Sequence, residues 1–343
     1  MKLYSLLRPL LFSLPPETAH RLTLQMLAIG GSFAPARWAL EKLFAVSSTP
    51  VQAFGLTFPN RLGLAAGYDK DAVAVRGLAA LGFGHIEVGT VTPRPQAGNP
   101  TPRLFRLAED QALINRMGFP SQGAERVAQR LQALRRQGAR LPILGVNLGK
   151  NRETPLEEAL QDYRTLMERF APLADYLVIN ISSPNTIGLR RLQGAEMLRS
   201  LLHGLQQARR ELPSCPPLLV KLAPDLTREE LEDAIAVLLE EGIEGVILTN
   251  TTLERPSLRS PYAGESGGLS GAPLAERSRQ MLEWVVQMVE GRMGIISVGG
   301  IMSAEEAHRR LEMGATLVQV YTGLVYQGPG LVRQILQSSR EKS

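Results

Sequence analysis

The segment RLGLAAGYDKD, residues 61–71, decides between the two folds in which strands and helices alternate. Its apolar first half is typical of a buried strand, and the chain then turns through Gly67-Tyr68-Asp69-Lys70-Asp71. In a doubly wound nucleotide-binding sheet, this first turn carries a Gly-x-Gly-x-x-Gly pattern, with an acidic residue about 20 positions later. The sequence lacks that pattern here, so an open nucleotide-binding sheet is disfavoured.

Strand-like runs recur along the rest of the chain and alternate with helical patterns. The eight predicted strands are 61–66, 85–91, 142–148, 175–181, 218–222, 245–250, 294–298 and 317–321. Amphipathic stretches long enough for covering helices lie at 156–170, 195–211, 228–241 and 304–313. Eight βα units predict a (β/α)8 TIM barrel, which we assign to a domain at residues 49–343.

Composition excludes several classes of protein. The 343 residues are 44% apolar and 21% charged, which is typical of a folded chain with a large core. A single cysteine, Cys215, excludes an internal disulfide and a cysteine-ligated cluster, and we expect no metal site. The net charge is +5, but the basic residues are scattered and only 9 Phe, 7 Tyr and 2 Trp are available for stacking. We therefore expect no nucleic-acid partner.

The first 48 residues form a separate helical segment with two open interpretations. Leucines recur at helical spacing from Leu3 to Leu14, where Pro15 and Pro16 end the pattern, and a second helix is predicted from Glu17 to Ile29, closed by Gly30-Gly31. The apolar runs are too short for a membrane span, and no signal-peptide cleavage site follows them. The helices either pack on the barrel or lie in a membrane surface as a monotopic anchor.

The turns after the last two strands are rich in glycine. Gly299-Gly300 follows strand seven and Gly323 follows strand eight, with Gly271 in a nearby loop. Backbone N–H groups at such turns bind phosphate in this fold, so the pattern favours a phosphorylated ligand. Two long connections, 92–121 and 251–271, are predicted to act as lids on the same face.

Amides and two lysines dominate the other strand ends. The amides suit a planar ligand whose rim alternates C=O and N–H groups, such as a pyrimidine or an isoalloxazine; they are Asn115, Asn147, Asn180, Asn185 and Asn250. Lys70 and Lys221 lie at strand positions, where a lysine either forms a Schiff base or neutralises an anionic ligand. Pattern alone leaves these roles open.

Four motifs in order resemble the dihydroorotate dehydrogenase family over residues 50–335. They are Ala65-Ala66-Gly67-Tyr68-Asp69-Lys70-Asp71, Gly89-Thr90-Val91-Thr92-Pro93-Arg94-Pro95, Asn115-Arg116-Met117-Gly118-Phe119 and Asn180-Ile181-Ser182-Ser183-Pro184-Asn185-Thr186. The N-terminal extension resembles that of the membrane-associated, quinone-using class 2. Ser183 stands at the catalytic-base position, where class 1 has a cysteine, and Cys215 lies elsewhere.

The resemblance implies a site residue by residue. Ser183 is the base. The residues implied to bind FMN are Ala66, Gly67, Tyr68, Asp69, Lys70, Thr90, Asn147, Asn180, Lys221, Thr249, Gly271, Gly300, Tyr321 and Thr322. Those implied to bind dihydroorotate are Lys70, Asn115, Arg116, Met117, Gly118, Phe119, Asn180, Asn185, Asn250 and Thr251. Those implied along the quinone route are His20, Arg106 and Tyr321.

The same resemblance implies oxidation of dihydroorotate to orotate in pyrimidine biosynthesis, with a membrane quinone as final acceptor. It favours the anchor interpretation of residues 1–48, and we expect a monomeric peripheral protein on the cytoplasmic face of the cell membrane. Pro120 departs from the family, which usually has asparagine there. The rivals are a soluble flavin barrel with a cysteine base, a tRNA dihydrouridine synthase, and a phosphate-binding barrel without redox chemistry.

Overall fold

A closed barrel of eight parallel strands forms the centre of the molecule in the computed structural model, which describes residues 2–44, 46, 49–138 and 141–341. The strands along the chain are β1 (Val51–Ala53), β2 (Leu56–Phe58), β3 (Leu62–Leu64), β4 (His85–Val91), β5 (Leu104–Leu107), β6 (Ala112–Asn115), β7 (Ile143–Leu148), β8 (Tyr176–Asn180), β9 (Leu218–Leu222), β10 (Gly245–Leu248), β11 (Gly268–Gly271), β12 (Gly294–Val298) and β13 (Leu317–Val320). Around the barrel the order is β3, β4, β7, β8, β9, β10, β12, β13. The predicted TIM barrel is confirmed.

Helices cover the barrel on the outside. They are α1 (Lys2–Ser13), α2 (Pro16–Ser32), α3 (Ala34–Phe44), α4 (Val75–Ala79), α5 (Ala124–Arg136), α6 (Ala159–Phe170), α7 (Ala195–Arg210), α8 (Arg228–Glu240), α9 (Ala275–Val289), α10 (Ala304–Glu312), α11 (Thr322–Gln327) and α12 (Gly330–Glu341). β8 and β10 are buried at every position. Strands covered on both faces need apolar side chains on both, which is why these segments are largely continuous apolar runs in the sequence. The core therefore lies between strands and helices, with a smaller cluster inside the barrel.

All eight predicted barrel strands are present, but four end earlier than predicted: β8 and β13 by one residue, and β3 and β10 by two. β3 was expected to reach Ala66 and ends at Leu64, and β10 was expected to reach Asn250 and ends at Leu248. The backbone beyond β10 still bonds to its neighbours, through Thr249 N–H to Val298 O at 2.8 Å and Asn250 N–H to Leu222 O at 2.9 Å. These residues leave the regular strand because they turn into the cleft described below.

The two long connections are joined to each other. β5 and β6 form an antiparallel hairpin within 92–121, and β11 from the other connection pairs with β6. Asn115 lies opposite Gly268 in this pairing. The predicted lids are therefore held as one three-stranded sheet beside the strand ends.

The two predicted N-terminal helices are present, and a third, α3, follows them. The predicted end of the second helix at Gly30-Gly31 is wrong, because α2 continues to Ser32. A Cβ on Gly31 would lie 2.3 Å from the Gly77 nitrogen of α4, and a Cβ on Gly77 would lie 2.0 Å from the Leu27 oxygen. The glycines thus allow α2 and α4 to pack closely rather than ending the helix.

Within the described residues, no helix is long and apolar enough to cross a membrane. The predicted domain boundary after residue 48 falls at a position outside the described residues.

Candidate active site

A cleft of about 1150 Å³ opens at the carboxyl ends of the barrel strands and extends to the first turns of α2. Its lining brings together most of the predicted site. The predicted site residues that line it are His20, Ala66, Gly67, Tyr68, Asp69, Lys70, Thr90, Asn115, Met117, Gly118, Phe119, Asn180, Ser183, Asn185, Lys221, Thr249, Asn250, Thr251, Gly271, Gly300, Tyr321 and Thr322. The other three, Arg106, Arg116 and Asn147, lie outside the lining.

A buried polar network forms the floor of the cleft. Thr90 donates to Asn147 Oδ1 at 2.6 Å, and Asn180 Nδ2 donates to the same oxygen at 2.9 Å. Asn147 Nδ2 in turn donates to Glu87 Oε1 at 2.7 Å. Asn147 is therefore positioned behind Thr90 and Asn180, which line the cleft, and fixes the orientation of both side chains.

Glu87 connects this network to Lys221. Its carboxylate is fully buried, lies 3.7 Å from Lys221 Nζ, and accepts a hydrogen bond from Gln319 Nε2 at 2.8 Å. A buried carboxylate requires such partners, because an isolated charge in the interior is costly. Lys221 lines the cleft, so the pair presents a fixed cation to a ligand. Glu87 is the one acidic residue of the buried strand β4 (HIEVGTV), a signal that the sequence analysis missed.

Lys70 places a second amine in the cleft. Its Nζ donates to Gly67 O at 2.6 Å. Burial lowers the pKa of Lys70 to about 8, although Asp71 and Glu17 favour the charged form. Asp69, next to it, accepts from the N–H groups of Val73 and Ala74 at the start of α4, and burial raises the pKa of its carboxyl.

Ser183 lies among the predicted amides. Its side chain is buried, and Oγ accepts from Asn185 N–H at 3.2 Å. Asn185 Nδ2 donates to Asn115 Oδ1 at 3.1 Å, and Asn250 Nδ2 donates to Ser182 Oγ at 3.0 Å. The geometry places a hydroxyl and several amides at the point where β8, β10 and the β6 loop meet. Such groups bind a small planar ligand and hold a proton donor or acceptor beside it.

Arg116 points away from this group. Its Nη1 lies 2.6 Å from Glu265 Oε2, and its guanidinium lies 4.5 Å from the Phe105 ring centroid. It therefore joins the two long connections, 92–121 and 251–271, to each other. Pro120 lines the cleft, and the chain beyond it is paired through Gln96 and Ser121, each donating its N–H to the other's carbonyl at 3.0 Å.

Aromatic rings connect α2 with the strand ends. The His20 and Tyr68 rings are 5.0 Å apart, and the Tyr68 and Tyr321 rings are 5.6 Å apart. Burial lowers the pKa of His20 to about 4 and raises that of Tyr68 to about 12, so both groups are neutral near pH 7. The structure thus provides a continuous neutral aromatic wall from the helices to the barrel.

Two arginines attach the N-terminal helices to the β5 region. Arg106 donates to Phe12 O at 2.9 Å, and its guanidinium lies 4.2 Å from the Phe12 ring. Arg103 pairs with Glu17 at 2.7 Å and lines the cleft. Arg106 therefore holds the end of α1, while Arg103, which the sequence analysis did not select, borders the opening.

Cys215 is exposed and lies outside the cleft lining, so it does not supply a base there. This position counts against the soluble flavin barrels that use cysteine.

Comparisons with known proteins agree with this geometry. The family model described as "Dihydroorotate dehydrogenase" matches residues 48–342. A relative from Roseiflexus sp. is 51% identical over 338 residues, covering 98% of this chain and 92% of the relative, and one from Acinetobacter baumannii is 47% identical over 341 residues, covering 98% and 99%. Both are named dihydroorotate dehydrogenase (quinone). A crystal structure of DHODH from Eimeria tenella in complex with ferulenol is 40% identical, with a TM-score of 0.85 over 95% of this chain and 91% of that one.

Proposed function

The chain belongs to the dihydroorotate dehydrogenase family, and from that premise we propose that it oxidises dihydroorotate to orotate in pyrimidine biosynthesis, with a quinone as final electron acceptor. The observation that supports this function most directly is that the proposed catalytic and binding groups line one cleft. One opening contains Ser183, Lys70, Lys221 and the amide cluster, and it extends to the exposed N-terminal helices. A substrate at the strand ends and an acceptor from the helix side thus reach the same interior.

The cofactor we propose is FMN. Lys221, Thr90 and Asn180 present a cation, a hydroxyl and an amide to a ring, and the glycine turns after β12 and β13 leave room for a phosphate. Bound there, FMN would supply an acceptor for the hydride from C6 of dihydroorotate and a donor that passes the two electrons on to the quinone. The donor set therefore fits a phosphorylated flavin. Asn147 orients Thr90 and Asn180 from behind the cleft. The other residues proposed to bind FMN line the cleft: Ala66, Gly67, Tyr68, Asp69, Lys70, Thr249, Gly271, Gly300, Tyr321 and Thr322.

Ser183 is the proposed base for the C5 proton of dihydroorotate. A neutral serine hydroxyl can accept the C5 proton only if it passes its own proton onward, to water or a neighbouring polar group, as the C5–H bond breaks. The Asn185 N–H donates to Ser183 Oγ and stabilises the negative charge that develops on this oxygen as its own proton leaves. Lys70 attracts the substrate carboxylate, while Asn115, Asn185 and Asn250 hold the ring amides.

Residues 1–48 are proposed to form the membrane-associating segment, and residues 49–343 the catalytic barrel. Among the described residues, nine of the thirteen exposed large hydrophobic side chains lie on α1–α3 and at Phe33 between α2 and α3. They are Leu6, Leu7, Leu10, Leu22, Met26, Ile29, Phe33, Trp38 and Leu43. With Arg21 and Lys42 nearby, this surface suits the boundary between lipid tails and headgroups.

The proposed quinone route runs from this surface past His20 and Tyr68 to Tyr321, with Arg106 holding the end of α1. We further propose a monomer bound peripherally to the cytoplasmic face of the cell membrane.

The test is a steady-state assay of the purified protein with dihydroorotate and a short-chain quinone analogue. We expect orotate and quinol to form in equal amounts. Orotate formation with a water-soluble acceptor alone, and none with the quinone, would reject the proposed acceptor. Absence of orotate with either acceptor would reject the dehydrogenase function.

A further inference from the structure

Arg310 is a buried arginine whose donors are fully used. Its side chain on α10 is fully buried, and it donates from Nε to Glu306 Oε1 at 2.6 Å. The four remaining N–H groups face Ser278 Oγ at 2.7 Å, Ser297 Oγ at 3.1 Å, Ala275 O at 2.9 Å and Gly299 O at 3.0 Å. A guanidinium has five N–H donors, so each has a partner. Such a satisfied group is rigid.

Two of these bonds fix the glycine turn after β12. Arg310 Nη2 joins the carbonyls of Gly299 and Ala275, and Gly300 lies so close to α9 that a Cβ there would be 2.3 Å from Ala275 Cα. The Gly299-Gly300 peptide bond is trans, so its carbonyl and the Gly300 N–H point in opposite directions. Holding the carbonyl against Arg310 therefore aims the Gly300 N–H away from Arg310, and Gly300 lines the cleft.

The same cluster carries a net positive charge behind the turn. Glu306 pairs with both Arg310 and Arg279, the second at 3.0 Å, which leaves one uncompensated cation among the three. Arg310 is hydrogen-bonded to the Gly299 carbonyl, and a buried cation this close to a glycine turn favours an anion at that turn. Ser297 precedes Val298 on β12 and contributes an acceptor that a glycine at this position would lack.

We propose that Arg310 is a positioning residue that sets the preference of the cleft for a phosphorylated flavin over an unphosphorylated one. This inference rests on the proposed function, because it concerns the phosphate end of the proposed cofactor. Arg310 does not line the cleft and acts on it through the Gly299-Gly300 turn. Its effect is therefore confined to the phosphate.

The test compares the binding of FMN and riboflavin to the flavin-free protein by quenching of flavin fluorescence. In Arg310→Lys, which keeps the charge but loses the planar fork, we expect the Kd for FMN to rise about tenfold or more, since charge-assisted and geometry-dependent bonds are lost. The Kd for riboflavin should change less than about twofold, because the ring site is untouched. Arg309→Lys, at the exposed neighbouring position, is the matched control and should change neither constant.

Ser297→Ala is the milder second variant, and it should lower the preference for FMN in the same direction with a smaller effect. If Arg310→Lys raises the Kd values for FMN and riboflavin by the same factor, its role is merely structural and the proposal is overturned. The proposal is also overturned if the ratio of the two Kd values stays unchanged in both Arg310→Lys and Ser297→Ala. Failure of the unmodified protein to bind either flavin would instead reject the proposed cofactor.

Discussion

Ser183 is the residue on which the proposed chemistry depends most directly. Ser183→Ala removes the oxygen that accepts from Asn185 N–H but leaves the network of Thr90, Asn147 and Asn180 intact. We expect the variant to retain flavin while its reduction by dihydroorotate slows by roughly 10²–10⁴-fold, the usual contribution of a positioned base. Anaerobic stopped-flow absorbance measures this rate.

Ser183→Cys is the informative control for that variant. A thiol near its ordinary pKa of about 8.5 regains activity as the pH rises, which a purely structural effect would not produce. Near-normal flavin reduction in Ser183→Ala would remove Ser183 from the role of base.

Lys70 gives the site a pH dependence with a defined sign. Because burial lowers its pKa to about 8, the amine is a cation below that pH and neutral above it. An anionic ligand is attracted only by the cation. The Kd for orotate, measured by perturbation of the flavin spectrum between pH 6 and 9, should be flat below about pH 8 and rise by up to about tenfold per unit above it.

Lys70→Met should bind orotate weakly across the same pH range, and its Kd should not begin to rise near pH 8. If the Kd of Lys70→Met rises above pH 8 as steeply as that of the unmodified protein, the titrating group is not Lys70.

At the scale of elements, α1 offers an apolar face with no covering partner in the described chain. Leu6 is 74% exposed and Leu10 is 66% exposed, and their i, i+4 spacing places them on one side of the helix. In Leu6→Glu/Leu10→Glu, we expect co-sedimentation with lipid vesicles to weaken at least about tenfold, because apolar burial in the bilayer is replaced by charge. Flavin reduction by dihydroorotate should stay unchanged.

Gln132→Glu/Ala133→Glu adds the same charge at exposed positions of α5 and should leave vesicle binding unaltered. If both double variants bind vesicles as the unmodified protein does, α1 is not the anchoring surface.

The close packing of α2 on α4 requires a glycine at position 31 but not at position 30. Gly31→Ala would place a methyl group 2.3 Å from the Gly77 nitrogen, whereas at Gly30 the nearest contact would be Leu40 Cδ1 at an ordinary 3.6 Å. We expect Gly31→Ala to destabilise this contact by about 1–3 kcal/mol, as overpacking does. Gly30→Ala should be neutral or stabilising by about 0.5–1 kcal/mol, because alanine favours helix.

Thermal unfolding together with limited proteolysis between α2 and the barrel measures both variants. Equal tolerance of the two substitutions would contradict the close helix contact.

At the scale of the whole molecule, the barrel could be predicted because strand runs and strand ends are local patterns. The cleft followed from them, since carboxyl ends of parallel strands meet on one face. The end of α2 could not be predicted, because the sequence shows Gly30-Gly31 but not that Gly77 packs against Gly31. Arg310 was likewise missed, as its partners lie on β12, at the Gly299 turn and on two helices and converge only after folding.

In the proposed enzyme, one cleft joins a dihydroorotate site to a flavin and a quinone entrance. The most direct measurement is the visible spectrum of the purified holoprotein under anaerobic conditions, before and after dihydroorotate and then after a quinone analogue. We predict that a flavin band bleaches with dihydroorotate and returns with the quinone. A flavin band that dihydroorotate leaves unchanged would contradict the account.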